Sequence, residues 1–194
     1  MKRLGIFVAC AAVLAMGCGA ESEGPASAAP DESASETVSQ TVIQMLPDGT
    51  YLQSTRHISR AEQQAQFEAR AALQQEAANG EPGLTRQTAG ELIIDCGNPD
   101  ALWLFDQPNR LGNQLCLYRS PSDSTAWLLL MYVPRGIGTT WSGAVRSLWA
   151  GRDAGALQNC TPTLCYISPV QAFSAWQQIN SISGANLTNA YLHD

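Results

Sequence analysis

Cysteine is the residue type of this 194-residue chain with the clearest potential for chemistry. Cys10 and Cys18 lie near the N-terminus, and four more cysteines lie in the second half of the chain: Cys96, Cys116, Cys160 and Cys165. These four show no Cys-x-x-Cys spacing and have no histidine nearby, which disfavours a zinc site. They could form disulfides in three pairings. We favour Cys96 with Cys116 and Cys160 with Cys165, because each pair would link neighbouring elements.

The first residues have the three parts of a secretory signal. A basic start is followed by the uncharged apolar stretch 4–14, which is too short to span a bilayer as a helix. Small residues then lead to Gly17 and Cys18. This ending resembles a bacterial lipoprotein box, which implies removal of residues 1–17 as a signal peptide and acylation of Cys18. Secretion without lipid is the alternative, and Cys10 is expected to be removed with the signal peptide.

A lipid on Cys18 predicts an exported lipoprotein that is held at a membrane. Several acyl chains on one residue give stable anchoring, whereas one chain gives marginal binding. The residue after Cys18 is Gly19 and not aspartate. For a lipoprotein, this implies anchoring in the outer membrane, facing the periplasm or the cell surface. Export also places the chain where disulfides form and persist.

The charge of the chain bears on its partners. It has 11 Lys and Arg against 17 Asp and Glu, and signal-peptide cleavage removes Lys2 and Arg3, which leaves a net charge of −8. A mature chain that is this acidic and has no lysine is a poor match for phosphates, so we expect no nucleic-acid partner. The membrane is the one partner indicated, and the sequence does not identify a protein or glycan partner.

Few side chains could catalyse a reaction. His57 and His193 are the two histidines, and neither lies in a known motif. A carboxylate pair could in principle come from four aspartates: Asp95, Asp100, Asp106 and Asp153. Acidic residues between apolar runs are usually turn formers. The sequence contains no nucleophile elbow, His-Glu-x-x-His helix or phosphate-binding glycine loop. We therefore expect a protein that is not an enzyme and has no cofactor.

The first half of the mature chain is predicted to hold a tether, a hairpin and a helix. Residues 18–40 are rich in Ala, Ser, Glu and Pro and have too few large apolar residues to fold, so we expect a disordered tether. Residues 41–58 are typical of two strands around a Pro-Asp-Gly turn. A Ser-x-x-Glu capping box opens a helix over 59–79, whose weak apolar face favours a spacer over a partner-binding helix. A linker is predicted at 81–90.

Residues 91–194 are predicted to form one all-β domain. They contain all five tryptophans, and their apolar runs are short and separated by Gly, Pro, Asn and Asp. The runs are 101–105, 114–118, 127–133, 144–149, 163–167 and 179–182. Short runs at this spacing are typical of a β-sandwich or barrel. The longest, 127–133, is expected to be a buried element.

Two segments of this domain resemble a Greek-key motif of the βγ-crystallins. Residues 102–113 match its opening hairpin, with Gly112 at the motif glycine and Arg110 at a position that is usually aromatic. Residues 141–151 match its closing strand, with Ser147 as the serine that bonds back to the hairpin turn. The resemblance implies an all-β, βγ-crystallin-like Greek-key sandwich in which Gly112 and Ser147 are structural residues.

A degraded second copy of the motif would start at 156–158, continue at 164–167 and close at 176–183. Many microbial members of this family bind calcium through a short acidic segment, and the aligned segments here are 142–147 and 177–182. Both lack the carboxylates that calcium prefers. We therefore expect no tight calcium site.

The resemblance leaves more than one function open. The first is a non-catalytic binding or structural module on a membrane anchor. The second is a peptidase inhibitor, because a family of secreted bacterial inhibitors shares the crystallin-like fold. The loop 134–138, with Arg135 as its protruding side chain, would then be the contact. A third interpretation makes the hairpin and helix at 41–80 a pro-segment that is removed by a cut near Gly80.

Overall fold

The computed structural model of the chain describes residues 36–46, 48–80, 96–120, 122–161, 163–164, 171–183 and 186–193. All of them belong to one compact unit. The predicted signal peptide, the lipid site Cys18, the linker at 81–90 and most of the predicted tether lie outside the described residues. Those predictions therefore stay predictions.

The described fold begins with a β-hairpin. Strand β1, Thr37–Met45, pairs antiparallel with β2, Tyr51–Ser59, in an uninterrupted register. The hairpin predicted at 41–58 is present but starts earlier, so residues 37–40 are strand and not tether. The physical reason is that Val38 is buried and pairs with Ile58, which extends the apolar alternation of the strand.

Helix α1 follows β2 directly and spans Arg60–Ala78. Its N-terminus is capped by Ser59, whose hydroxyl accepts the amide of Glu62 at 3.0 Å. The helix ends at Asn79. Its position matches the prediction, but it is not a free spacer, because its inner face contacts the β domain through the side chains described below.

Ten short strands follow α1 in the described part of the chain. They are β3 (Leu102–Phe105), β4 (Gln114–Tyr118), β5 (Thr125–Leu129), β6 (Pro134–Gly136), β7 (Thr139–Thr140), β8 (Ser147–Trp149), β9 (Ala154–Gln158), β10 (Gln171–Phe173), β11 (Gln178–Ile179) and β12 (Asn189–His193). Two turns of 3-10 helix lie at Pro108–Arg110 and Leu130–Tyr132. Short strands and short connections agree with the all-β prediction for this part of the chain.

The strands form two larger sheets in a sandwich-like arrangement. One has the order β11-β8-β3-β4-β1-β2, and the other has the order β10-β9-β12-β5. Each sheet contains a strand from the opposite half of the domain, since β5 pairs with β12 and β11 pairs with β8. The N-terminal hairpin joins the first sheet through a parallel pairing of β1 with β4. This pairing is the partner surface that an isolated hairpin would need.

Side-chain alternation divides the six-stranded sheet into two faces. Its inner face and the second sheet share one apolar cluster, which includes Leu104, Leu115, Leu117, Leu148, Leu128, Leu157 and Leu192. The outer face carries a second cluster that includes Trp103, Phe105 and Trp149. Helix α1 covers this outer face with Phe67. The sandwich therefore has a third, partial layer on one side.

Two predictions within the domain are wrong. The segment 176–183, predicted to close a second motif that opens at 156–158, does not pair with that opening strand: β11 joins the six-stranded sheet, and β12 is the strand that pairs with β9. The run 127–133 is not one buried element, because strand β5 gives way to a 3-10 turn and both Trp127 and Tyr132 are exposed. An apolar run cannot reveal that alternate residues of an edge strand face solvent.

Candidate functional site

The outer face of the six-stranded sheet carries what we call the aromatic cluster: Phe67, Trp103, Phe105 and Trp149. The ring centroid of Phe67 lies 5.8 Å from that of Trp103 and 5.7 Å from that of Phe105. Trp103 and Trp149 form an edge-to-face pair with centroids 5.7 Å apart. Pairs of this kind contribute about 0.5–1.5 kcal/mol each beyond area burial. The cluster fixes α1 against the sheet.

Arg70 projects from α1 into the aromatic cluster and is only 2% exposed. Its guanidinium carbon lies 4.2 Å from the ring centroid of Trp103 and 5.5 Å from that of Trp149. Nη2 donates to the backbone carbonyls of Ala101 and Trp149, whereas Nε and Nη1 have no hydrogen-bond partner among the described residues. Burial lowers the pKa of Arg70 to about 9, so the group stays charged at neutral pH.

Glutamines on the same face of α1 complete its contact with the sheet. The amide of Gln63 donates to the carbonyl of Gly112 at 3.3 Å. Gln66 accepts from Gln40 of β1 at 2.7 Å. The amide of Gln74 donates to a carbonyl beyond β10 at 3.2 Å. The helix therefore docks largely through polar side chains, which is why its apolar pattern is weak and why the sequence favours a spacer.

An open depression of about 260 Å³ lies beside the aromatic cluster. Its walls are Gln64, Phe67, Glu68, Ala71, Arg110, Trp149 and Gln178. The guanidinium of Arg110 lies 5.1 Å from the ring centroid of Trp149 and donates to the Gln178 side chain. Partial burial lowers the pKa of Arg110. A guanidinium, a carboxylate and two amides around an aromatic wall could hold a small polar ligand.

The turn that positions Arg110 is fixed by the two residues predicted to be structural. Ser147 donates to the carbonyl of Gln107 at 2.7 Å and accepts the amide of Arg110 at 2.9 Å. Gly112 has φ +78°, and a Cβ there would overlap the side chains of Asp106 and Gln107. Arg110 itself has φ +63°, an uncommon conformation for a residue with a side chain.

The two-stranded hairpin β6–β7 presents an apolar tip to solvent. Ile137 at the tip is fully exposed, at 105%. Arg135 does not protrude as expected, because its Nη1 pairs with the carboxylate of Asp106 at 2.9 Å and holds the hairpin against the opening turn. Gly138, with φ +68°, supplies the turn geometry. The residue that a partner would meet first is therefore Ile137.

The predicted disulfide between Cys96 and Cys116 is present, with Cα atoms 5.7 Å apart. Both cysteines are fully buried, and the indole of Trp103 donates to the Cys96 carbonyl at 3.1 Å. Cys160 is also disulfide-bonded. Its predicted partner Cys165 lies outside the described residues, as does Cys18.

The described candidates for acid or base chemistry are held by other side chains. Three aspartates each contact an arginine: Asp100 with Arg152 at 3.3 Å, Asp106 with Arg135 at 2.9 Å, and Asp153 with Arg119 at 2.9 Å. Asp95 lies outside the described residues. His57 is exposed on β2, and His193 lies on β12 beside the ring of Tyr191. Among the described residues, no three His, Cys, Asp or Glu side chains gather as metal ligands would.

Sequence reasoning missed Arg70, and it noted Arg110 only as a departure from the aromatic residue that is usual at its position. The available signal was the spacing of Gln63, Phe67, Arg70 and Gln74, which places all four on one face of α1. An arginine on such a face is usually read as solvated. Only the fold shows that this face is the inner one.

No protein-family model, curated protein or solved structure matches this chain. In the part of the chain that the structure describes, no helix is both long enough and apolar enough to cross a membrane.

Proposed function

We propose that the β domain is a βγ-crystallin-like pair of interlocked Greek-key motifs. Strands β3, β4, β5 and β8 would be the first motif, and strands β9 to β12 would be the second. The exchange of β5 and β11 between the two sheets supports this assignment, since each motif then contributes one strand to the sheet of the other. The contacts of Ser147 with the opening turn support it independently.

The domain departs from the family at two places, and both bear on ligands. Arg110 stands where an aromatic residue is usual and stacks on the aromatic cluster instead. In the segment 142–147, the guanidinium of Arg146 donates to the carbonyls of Gly143 and Val145, each at 2.9 Å. A positive group on these carbonyls would repel a divalent cation, which supports the proposal that the domain binds no calcium tightly.

We infer that the chain is an exported lipoprotein, anchored through Cys18, whose β domain is a non-catalytic binding or structural module. The observation that carries the non-catalytic part is that every described candidate aspartate is engaged by an arginine. A general acid or base must instead reach a substrate proton. The anchor would hold the module at the outer membrane, and the depression beside Arg110 would be its first candidate ligand surface.

The anchor is tested by metabolic labelling with a clickable fatty acid in the native host. We expect labelling of the wild-type chain and of Cys10→Ala, because Cys10 leaves with the signal peptide. We expect no labelling of Cys18→Ala. Labelling that survives Cys18→Ala refutes the anchor, and loss of labelling in Cys10→Ala refutes the assigned cleavage site.

The second candidate function is a peptidase inhibitor, and the exposed hairpin β6–β7 favours it. A rigid loop that presents one apolar side chain could enter the specificity pocket of a peptidase. Inhibition assays against a panel of peptidases test this proposal. Ile137→Glu should abolish inhibition, whereas Leu164→Glu, at another exposed apolar side chain, should leave it unchanged. Inhibition that resists Ile137→Glu removes the hairpin as the contact.

A further inference from the structure

Strand β2 is a long and open sheet edge. It spans nine residues, whereas the other described edges of the two larger sheets, β5, β10 and β11, span five, three and two. Among the described strands it pairs only with β1. The residues from Tyr51 to His57 are all exposed. An edge of this length is a template for another strand.

The two ends of the ladder between β1 and β2 show which residues of β2 direct their backbone groups toward β1 and which direct them toward the open edge. The amide of Arg60 donates to Glu36 at 3.0 Å, and the amide of Leu46 donates to Thr50 at 2.9 Å. Antiparallel ladders alternate between bonded and non-bonded pairs. The even-numbered residues of β2 therefore bond to β1. The backbone groups of Tyr51, Gln53, Thr55 and His57 point away from β1, toward the open edge.

A hydrogen bond on the other side of β1, toward β4, supports the same assignment of inward and outward residues. The amide of Ser39 donates to the side chain of Asn113 at 2.9 Å, on the side of β4. Ser39 pairs with His57, so it is a non-bonded position of the hairpin ladder. The odd-numbered residues of both strands thus direct their backbone groups away from the partner strand of the hairpin.

Strand β2 carries few of the usual protections of an edge strand. Natural edges carry Lys, Pro, a bulge or an outward charge. Here the strand contains neither Lys nor Pro, and its register with β1 has no bulge. Its one arginine, Arg56, is turned back across β1: Nε donates to Gln40 at 2.9 Å, and the guanidinium pairs with Glu62 of α1 at 3.2 Å. The one charged side chain of β2 is therefore engaged by residues of β1 and α1.

We propose that β2 pairs antiparallel with β2 of a second copy of this chain, about a two-fold axis at Thr55. In this register Thr55 of one copy lies opposite Thr55 of the other, and Gln53 lies opposite His57. The backbone groups that point toward the open edge in one copy therefore face those of the other copy. Arg56 lies opposite Ser54, so the two arginines are diagonal neighbours and not directly opposed, and the strand carries no carboxylate. The register is self-complementary, as an isologous dimer requires. The two six-stranded sheets then continue into one another.

Oxidative cross-linking tests the register. The full chain is used with Cys10 and Cys18 replaced by Ala, and it carries either Thr55→Cys or Gln53→Cys. Opposed residues of a hydrogen-bonded pair have Cα atoms about 5.5 Å apart, within disulfide range. Two copies of residue 53 would lie about 14 Å apart, at ~3.4 Å per residue. We expect a covalent dimer for Thr55→Cys and none for Gln53→Cys. Equal cross-linking of the two variants, or none in either, overturns the proposal.

A proline pair tests the dimer without a new cysteine. The amide of Thr55 points outward, so Thr55→Pro should block docking while keeping the ladder with β1. Ser54→Pro removes an inward hydrogen bond and should lower the unfolding midpoint as well. In analytical ultracentrifugation, we expect the wild-type chain to dimerise as its concentration rises and Thr55→Pro to stay monomeric. Its unfolding midpoint should fall less than that of Ser54→Pro, because Thr55→Pro keeps the backbone ladder and loses only the hydroxyl contact with Thr41. A wild-type chain that stays monomeric, or a Thr55→Pro chain that dimerises normally, contradicts the proposal.

Discussion

Substitution of Arg70 separates the effect of a buried charge from that of buried volume. Arg70→Met removes the charge and keeps most of the side-chain volume, whereas Arg70→Ala removes both. Burial lowers the pKa of Arg70 to about 9, well below the ordinary pKa of a guanidinium, and this depression corresponds to about 5 kcal/mol of unfavourable charge burial, at ~1.36 kcal/mol for each tenfold change in the acid constant. That is the free energy that Arg70→Met gains.

The same substitution loses the contacts of the guanidinium with two rings and two carbonyls, of which the contacts with the Trp103 ring and the Ala101 carbonyl are the shortest. The guanidinium over the ring of Trp103 contributes about 2 kcal/mol when desolvated. Its hydrogen bond to the Ala101 carbonyl contributes about 1.5–3 kcal/mol. Because the gain and the loss offset each other, we expect the free energy of unfolding of Arg70→Met to lie within about 1 kcal/mol of the wild-type value. Other buried charges that are replaced by apolar side chains of similar size behave in this way. Arg70→Ala also leaves a cavity beside the rings and should destabilise by about 2–4 kcal/mol.

Urea unfolding followed by tryptophan fluorescence measures the difference, with disulfides intact and Cys18→Ala in every chain. The denaturant slope should be the same for all variants, so that the midpoints report stability. Arg56→Met, at a half-exposed arginine, is the matched control and should change stability by less than about 0.5 kcal/mol. If Arg70→Met destabilises as much as Arg70→Ala, the guanidinium contacts outweigh the buried charge, and the reasoning is refuted.

Three further outcomes follow from individual contacts. Ser147→Ala removes both hydrogen bonds to the opening turn and should destabilise by about 1–3 kcal/mol in the same assay; a neutral result would show that the turn holds without them. Replacing Cys96 and Cys116 together by Ala opens a loop with a sequence separation of 20 residues and should lower stability by about 3 kcal/mol, measured by urea unfolding of the double variant. Asp153→Ala leaves Arg119 buried without its carboxylate and should destabilise by about 3–5 kcal/mol in calorimetry; a change below 1 kcal/mol would contradict this.

Local signals were enough for the elements that depend on neighbouring residues. The capping serine at residue 59, the turn before β2 and the short apolar runs of the β domain are all patterns within a few residues, and the structure has a helix, a hairpin and strands at these places. The sequence also favours the pairing of Cys96 with Cys116, because this pair would link neighbouring elements, and the disulfide is present.

Long-range contacts were beyond these signals. The sequence predicts a closing strand at 176–183, but β12 is the strand that pairs with β9, because strand pairing and not local pattern decides which sheet each short segment joins. Arg135 was expected to protrude because an arginine in a loop usually does. Its actual position depends on Asp106, which lies 29 residues earlier.

The sequence by itself determined the residues on which the predicted anchor depends, the β character of the second half and the place of the helix, because each of these is a property of contiguous residues. The tertiary structure decided that α1 packs on the outer face of the six-stranded sheet and is not a spacer. That outcome depends on Arg70 meeting Trp103 and Trp149, residues that lie far apart in the chain. The helical spacing shows that these side chains share one face of α1, but it does not show which groups that face contacts, since the rings and carbonyls are supplied by strands elsewhere in the chain.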